Sequence, residues 1–218
     1  MRYLLFVFLF TLAQHARAQD AIAASKEPLH KNVFENQWVR VLELHIAPGD
    51  TTLMHKHVLP VVSISLHPVK TGSQTIADDH GPKVSSKDRG ITFDGFYENP
   101  RIHRVWNRDT SMFHWMDVEV LSKGDQNIEA PIALDGFTQA FDAPPVRAYR
   151  LTLKGKQKLE LKRDHPLLIV GLNNAGNALV NKKPFTKEAD FLFVPPSKKI
   201  KLANKLEQTY SFAVLEMK

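Results

Sequence analysis

The chain has 218 residues, 43% of them apolar and 24% charged, which is enough to bury a core and too apolar for a disordered or fibrous protein. It contains no cysteine, so disulfides, thiolate zinc sites, iron–sulfur clusters, catalytic thiols and a lipoprotein anchor are excluded, and any metal must be held by His, Asp or Glu. Lysine and arginine number 29 against 23 acidic residues, and the resulting +6 reads as spread along the chain rather than gathered for an anionic partner.

Residues 1–18 read as a secretory signal. Arg2 supplies the positive end, Tyr3 to Ala13 the apolar run, and Ala16-Arg17-Ala18 the small-x-small cleavage site, with the cut after Ala18. The apolar run is about half of the roughly 20 residues a spanning helix needs. Its removal would leave 200 residues and, without Arg2 and Arg17, a net charge of about +4. The expected location is secreted or periplasmic, with no membrane contact once the signal is gone. Residues 19–38 follow as an N-terminal arm.

Two later passages then repeat one another. Val39 to Ile46 followed by Pro48-Gly49 matches Val146 to Leu153 followed by Lys154-Gly155, an offset of 107. Leu59 to Leu66 matches His165 to Leu172 at an offset of 106, and Asn107 to Glu119 matches Asn204 to Glu216 at 97. A shrinking offset places the length difference in the middle loop of each copy. Both copies are runs of Val, Ile, Leu, Phe and Thr broken by Gly, Pro, Asn and Asp about every ten residues, the pattern of an all-β sandwich or barrel. The predicted organisation is a first repeat over 39–121, a Pro-containing linker over 122–145 and a second repeat over 146–218. Composition leaves open whether they form one paired sandwich or two touching barrels.

The first repeat carries the chemistry. In Gly49-Asp50-Thr51-Thr52-Leu53-Met54-His55-Lys56-His57 the two histidines stand two apart, so on a strand both imidazoles face one side. On its own an HxH pair is either a metal pair or two surface histidines. His103 opens a later strand and could close a site from across the barrel. Neutral imidazoles suit zinc, iron, copper, nickel or manganese.

Gly49 followed by His55-x-His57, with His103 followed by Asn107, resembles the first and second motifs of the cupins, and Asn36 to Gly49 resembles the entry strand of small bacterial members. The resemblance spans nearly the whole chain after residue 18. It implies two tandem jelly-roll β-barrels, with one divalent metal ion held by His55, His57 and His103 in the first. The carboxylate that the first motif expects falls at Val61 or Val62, and the turn residues of the second are Glu98 and Pro100, both departures. In the second repeat His55, His57 and His103 map to Leu161, Arg163 and Ile200, so that barrel is degenerate and structural.

Other residues are weighed beside these. Alternation along Phe113 to Val120 places His114 and Met116 with Val118 and Val120, expected to be the barrel interior, where His114 is either a hydrogen-bonded core histidine or a residue that lines the pocket or supports the ligands. Asn107, at the end of the second motif, and Ser63 are further candidates for the pocket or for supporting the ligands. Ser63, Ser65 and His67 could equally form a solvent face. Glu43 and His45 are expected outside. Asp78-Asp79-His80 sits in the long loop as a distant source of a fourth ligand. No GxSxG elbow, P-loop or GxGxxG is present, and no basic stripe with aromatics points to nucleic acid. The expected function is metal-assisted oxygenase, isomerase or hydrolase chemistry on a small polar or anionic molecule, with a non-catalytic binding or structural module as the competing class and a homodimer as the expected assembly.

Overall fold

A computed structural model describes residues 21–76, 90–95, 100–124, 129–173 and 176–218. The proposed signal, Asp78-Asp79-His80 and Glu98 lie outside the described residues. The described residues form eighteen strands in two halves that repeat each other. The first half contains β1 (Ile22–Ala23), β2 (His30–Glu35), β3 (Val39–Ile46), β4 (His55–His57), β5 (Val61–His67), β6 (Thr71–Thr75), β7 (Ile91–Asp94), β8 (Arg101–Asn107) and β9 (Phe113–Val120). The second contains β10 (Phe137–Ala143), β11 (Val146–Leu153), β12 (Lys158–Lys162), β13 (Leu167–Gly171), β14 (Ala178–Val180), β15 (Lys183–Phe185), β16 (Phe191–Val194), β17 (Lys199–Asn204) and β18 (Tyr210–Met217).

Each half is a two-layer sandwich. The five-stranded sheets run β2-β3-β9-β5-β7 and β10-β11-β18-β13-β16, and the four-stranded sheets β1-β4-β8-β6 and β12-β17-β14-β15. The correspondence holds residue by residue. His55 pairs with His103 across β4 and β8, and Leu161 with Ile200 across β12 and β17, at the offsets of 106 and 97 read from the sequence. Asn107 donates to the Ile46 and Ser111 carbonyls, and Asn204 to the carbonyls of Leu153 and Gln208. Arg40 bridges Glu35 and Glu119, as Arg147 bridges Asp142 and Glu216.

This last pair shows that the repeats begin earlier than residues 39 and 146. Residues 19–38, expected as an arm, supply β1, a 3-10 turn over Ala24–Lys26 and β2, and the segment expected as a linker supplies β10. Strands β2 and β10 pair with β3 and β11 in the same way, each with a bulge, between Asn32 and Phe34 and between Gln139 and Phe141.

The two five-stranded sheets pack face to face and share one apolar core. Val39, Val41, Val62, Ile64, Leu66, Met116, Val118 and Val120 from the first half meet Val146, Ala148, Leu168, Val170, Ala213, Leu215 and Met217 from the second. Phe34 meets Phe191 edge-on and lies tilted against Phe193 across this seam. The second half also fills its own sandwich, with Tyr149, Leu151, Leu161, Phe185, Ile200, Leu202, Tyr210 and Phe212. The interior of the first half has only a small apolar cluster around Leu44, Ile46, Val69 and Phe113. The remainder of that interior is polar, and it holds the site.

Candidate metal centre

Four imidazoles meet inside the first sandwich, all nearly inaccessible to solvent: His30, His55, His57 and His103. His55 and His57 stand two apart on β4 and so face one side, and the antiparallel pairing of β4 with β8 sets His103 directly across from His55. His30 opens β2 in the opposite sheet, where it pairs with Leu44. The ligand nitrogens of His30, His55 and His57 lie within 4.8 Å of one another, and Nε2 of His57 is 3.1 Å from Nε2 of His103.

The rings are tilted to each other by 60° for His30 and His55, 69° for His55 and His57, 60° for His55 and His103 and 58° for His57 and His103. Inclined rings let in-plane lone pairs converge on one point. The 3.1 Å contact is a hydrogen bond between the two Nε2 atoms, one of them donating, and the same separation matches the roughly 3.0–3.4 Å expected between two nitrogens that each stand about 2.1 Å from one ion.

Outer contacts fix which nitrogen faces inward. Nδ1 of His55 donates to the Leu53 carbonyl at 2.9 Å, leaving Nε2 as a lone pair, and that atom is buried without a hydrogen-bond partner. Nδ1 of His30 donates to the Glu27 carboxylate at 2.7 Å, which likewise turns its Nε2 to the cluster. Glu27 is itself buried, and it accepts from the backbone N–H groups of Leu29, His30 and Leu53. Burial pushes its pKa up, but the bonds from His30, Leu53 and Leu29 outweigh that and hold it below the usual carboxylate range. A carboxylate behind an imidazole fixes its tautomer and raises its basicity, the usual support for a metal ligand.

Burial also keeps the inner rings neutral. It pushes His55 down to about 4, helped by the neighbouring His30 and His57, and it pushes His57 and His103 below the ordinary histidine value. A buried group of neutral, converging nitrogens, one of them lacking any hydrogen bond, fits a borderline transition-metal cation. A hard, oxygen-seeking ion such as calcium or magnesium does not match this donor set.

The imidazoles open on a cavity of about 450 Å³. Its walls include Phe113 and Trp115, its polar groups Arg101, Asp94, Ser63 and Asp117. Asp117 accepts from Ser63 Oγ at 2.6 Å and from Trp115 Nε1 at 2.9 Å through one oxygen, and the other lies 4.0 Å from His30 Nε2. Val61, where the motif expects a carboxylate, lines the cavity, and Val62 lies in the shared core.

Two expectations are revised and one open alternative is decided. His114 does share a face with Met116, Val118 and Val120, but that face meets the other half, and Phe113, Trp115 and Asp117 face the cavity instead. Asn107 is buried in the turn between β8 and β9, where its side chain donates to the Ile46 and Ser111 carbonyls and accepts from the Asp109 N–H; it is a turn-holding residue outside the cavity lining. Ser63, expected at the pocket or on a solvent face, lines the cavity.

His114 belongs to a second cluster at the seam between the halves. Its two ring nitrogens contact Glu43 at 2.8 Å and Glu188 of the second half at 2.9 Å, and its ring stacks on His45 at 4.1 Å and 20°. Glu43, His45 and His114 approach as closely as metal ligands do. Nearly parallel rings, however, aim their lone pairs side by side rather than at one point. Burial pushes His114 down, but the two carboxylates outweigh it and raise its pKa, so the group is an imidazolium clamped between carboxylates.

The sequence reading missed His30, Glu27 and Asp117. His30 would have emerged from extending the repeat: at the offset of 107 it matches Phe137, which packs against the second half's own core. Every imidazole position thus has a non-histidine twin. Leu161 and Ile200 are buried core, and Arg163 is bound to Glu216.

No protein-family model and no curated protein sequence matches the chain. Solved structures do. AerE from Microcystis aeruginosa is 10% identical with a TM-score of 0.58, over 88% of this chain and 98% of that one. Salicylate 1,2-dioxygenase from Pseudoaminobacter salicylatoxidans, solved with gentisate, is 11% identical with a TM-score of 0.56, over 85% of this chain and 70% of that one. A cupin 2 conserved barrel domain protein from Leptotrichia buccalis is 11% identical with a TM-score of 0.54, over 85% and 86%. At such identities the likeness is one of fold.

Proposed function

We propose that this chain, which has the cupin fold, holds one divalent transition-metal ion through the inward nitrogens of His30, His55, His57 and His103 and presents it to a small anionic molecule in the cavity of its first half. The observation that carries this reading is the buried, unbonded Nε2 of His55 within a group of inclined, neutral imidazoles. His30 takes the place of the carboxylate ligand that the cupin motif would supply at Val61 or Val62. A centre of neutral ligands keeps the full charge of its cation, which favours an anionic partner. Arg101 in the cavity lining adds a second positive group, and Phe113 and Trp115 add apolar wall.

When bound, such an ion supplies Lewis acidity or redox chemistry, consistent with an oxygenase, isomerase or hydrolase. The chain's own residues position the reaction. Glu27 and the Leu53 carbonyl hold the rings, Asp117 sets a carboxylate oxygen beside them, and Ser63 and Trp115 hold Asp117 in place. The dioxygenase among the structural neighbours supports the same reading by fold only. We further propose that residues 1–18 direct export and are removed.

The test is metal analysis of protein purified from its native compartment, because copper displaces other divalent ions at imidazole sites during heterologous purification. One ion per chain is expected in the wild type, with stoichiometric loss in His55→Ala and strong loss in His30→Ala and His103→Ala. A wild type with no stoichiometric ion, or variants that keep it, would overturn the proposal.

A further inference from the structure

The duplicated halves differ in charge as much as in ligands. Residues 19–121 carry 11 Lys and Arg against 13 Asp and Glu, and the matching span 126–218 carries 15 against 9, so the first half is near −2 and the second near +6. The reading of an evenly spread charge is therefore corrected. The fold concentrates the excess further. In the outer sheet of the second half, β12 and β17 alternate, turning Leu161, Ile200 and Leu202 into the core and Lys158, Lys162, Lys199 and Lys201 to solvent.

Lys162 and Lys199 are direct cross-strand partners, a like-charge pairing that costs stability. Glu160, the one acidic residue on these two strands, is shared between Lys199 and Lys201. The first half repeats the arrangement only in part, with Lys56 as the counterpart of Lys162 and Thr52 as that of Lys158. Ile102 is the counterpart of Lys199, and Arg104, the counterpart of Lys201, is engaged by Gln74 and lies over the Trp106 ring.

We infer that the degenerate second half is an electrostatic anchor, whose lysine-bearing outer sheet docks on a surface of anionic phospholipid headgroups. Three observations favour a lipid surface over nucleic acid. The cations lie across the open face of a sheet, whereas a duplex groove is entered by a helix or a two-stranded ribbon. All four are lysines, which act as point charges without the bidentate fork of arginine. The outward residues of β12 and β17 include no aromatic ring on which a base could stack. The five-stranded sheets pack together in the middle, so the basic face and the metal cavity lie toward opposite ends, and docking would leave the cavity open to water.

The test is co-sedimentation of the chain from Gln19 onward, which retains every described residue, with vesicles of phosphatidylcholine alone or mixed with phosphatidylglycerol. Binding is expected only to the anionic vesicles, with release in salt near 1 M, where the screening length falls to about 3 Å. A variant carrying Lys158→Gln, Lys162→Gln, Lys199→Gln and Lys201→Gln should bind at least about 100-fold more weakly, since each lysine near such a surface contributes about fivefold. Lys26→Gln, Lys31→Gln, Lys70→Gln and Arg108→Gln, removing the same charge from the first half, should bind like the wild type. Superimposable circular dichroism spectra establish that both variants fold. Failure to bind anionic vesicles, equal binding to neutral ones, or equal losses in both variants would overturn the inference. So would binding of a DNA oligonucleotide that the first variant loses while vesicle binding is unchanged. None of these outcomes depends on whether the imidazoles hold a metal.

Discussion

Glu27→Gln tests the support of the metal centre with almost no change of volume. One carboxylate oxygen of Glu27 accepts from Leu29 N at 2.9 Å, His30 N at 3.1 Å and His30 Nδ1 at 2.7 Å, and the other accepts from Leu53 N at 3.0 Å. Glutamine has a single carbonyl oxygen. If that oxygen takes the first position, its amide NH₂ points at the Leu53 N–H; if it takes the second, three donors face an NH₂. At least one buried donor is orphaned in either rotamer, which costs about 1–3 kcal/mol. The His30 ring also loses the charge that holds its Nδ1 proton in place, and loss of such an outer partner lowers metal affinity about 10–100-fold. Urea unfolding of metal-free protein measures the first effect and chelator competition measures the second. A variant matching the wild type in both would refute the role assigned to Glu27. Lost stability with unchanged affinity would show that Glu27 ties the entry segment to the β4 approach without orienting a ligand.

Two pH dependences of metal-free protein should run in opposite directions. His55 titrates in the fold at about 4 against 6.5 when exposed, so its contribution is complete above 6.5 and is lost as pH falls toward 4, amounting to about 3 kcal/mol. Urea midpoints between these pH values should fall in the wild type and fall less steeply in His55→Asn, where His57 and His103, also shifted downward, still contribute. His114 is shifted upward, so its contribution is complete below 6.5 and is lost as pH rises through its higher folded value. Thermal melts on the alkaline side should show that loss in the wild type and not in His114→Gln. Ile64, fully buried in the core shared by the two halves, should cost about 2–5 kcal/mol as Ile64→Ala and lower the stability of both halves together, seen as one coincident transition by two probes. Separate transitions would show that the shared core does not couple them.

The repeated strand–turn phrases, the offsets of 107, 106 and 97 and the convergence of His55 and His57 with His103 were all legible in the amino-acid order. They depend on local alternation and on counting along the chain, which folding preserves. The loss of the histidines in the second half was legible for the same reason, since Leu161 and Ile200 occupy the positions of His55 and His103 on equivalent strands. What the order of residues could not decide is which face of a strand looks into which core. Along β9 both faces are largely buried, one on the cavity and one on the twin sheet, so alternation separates His114 from Asp117 without saying which side is the interior. Only packing of the two five-stranded sheets decides that, by covering Met116, Val118 and Val120 with the second half and leaving Asp117 to the imidazoles. His30 joins them because β2 lies in the sheet opposite β4, a placement set by long-range pairing and not by any spacing along the chain.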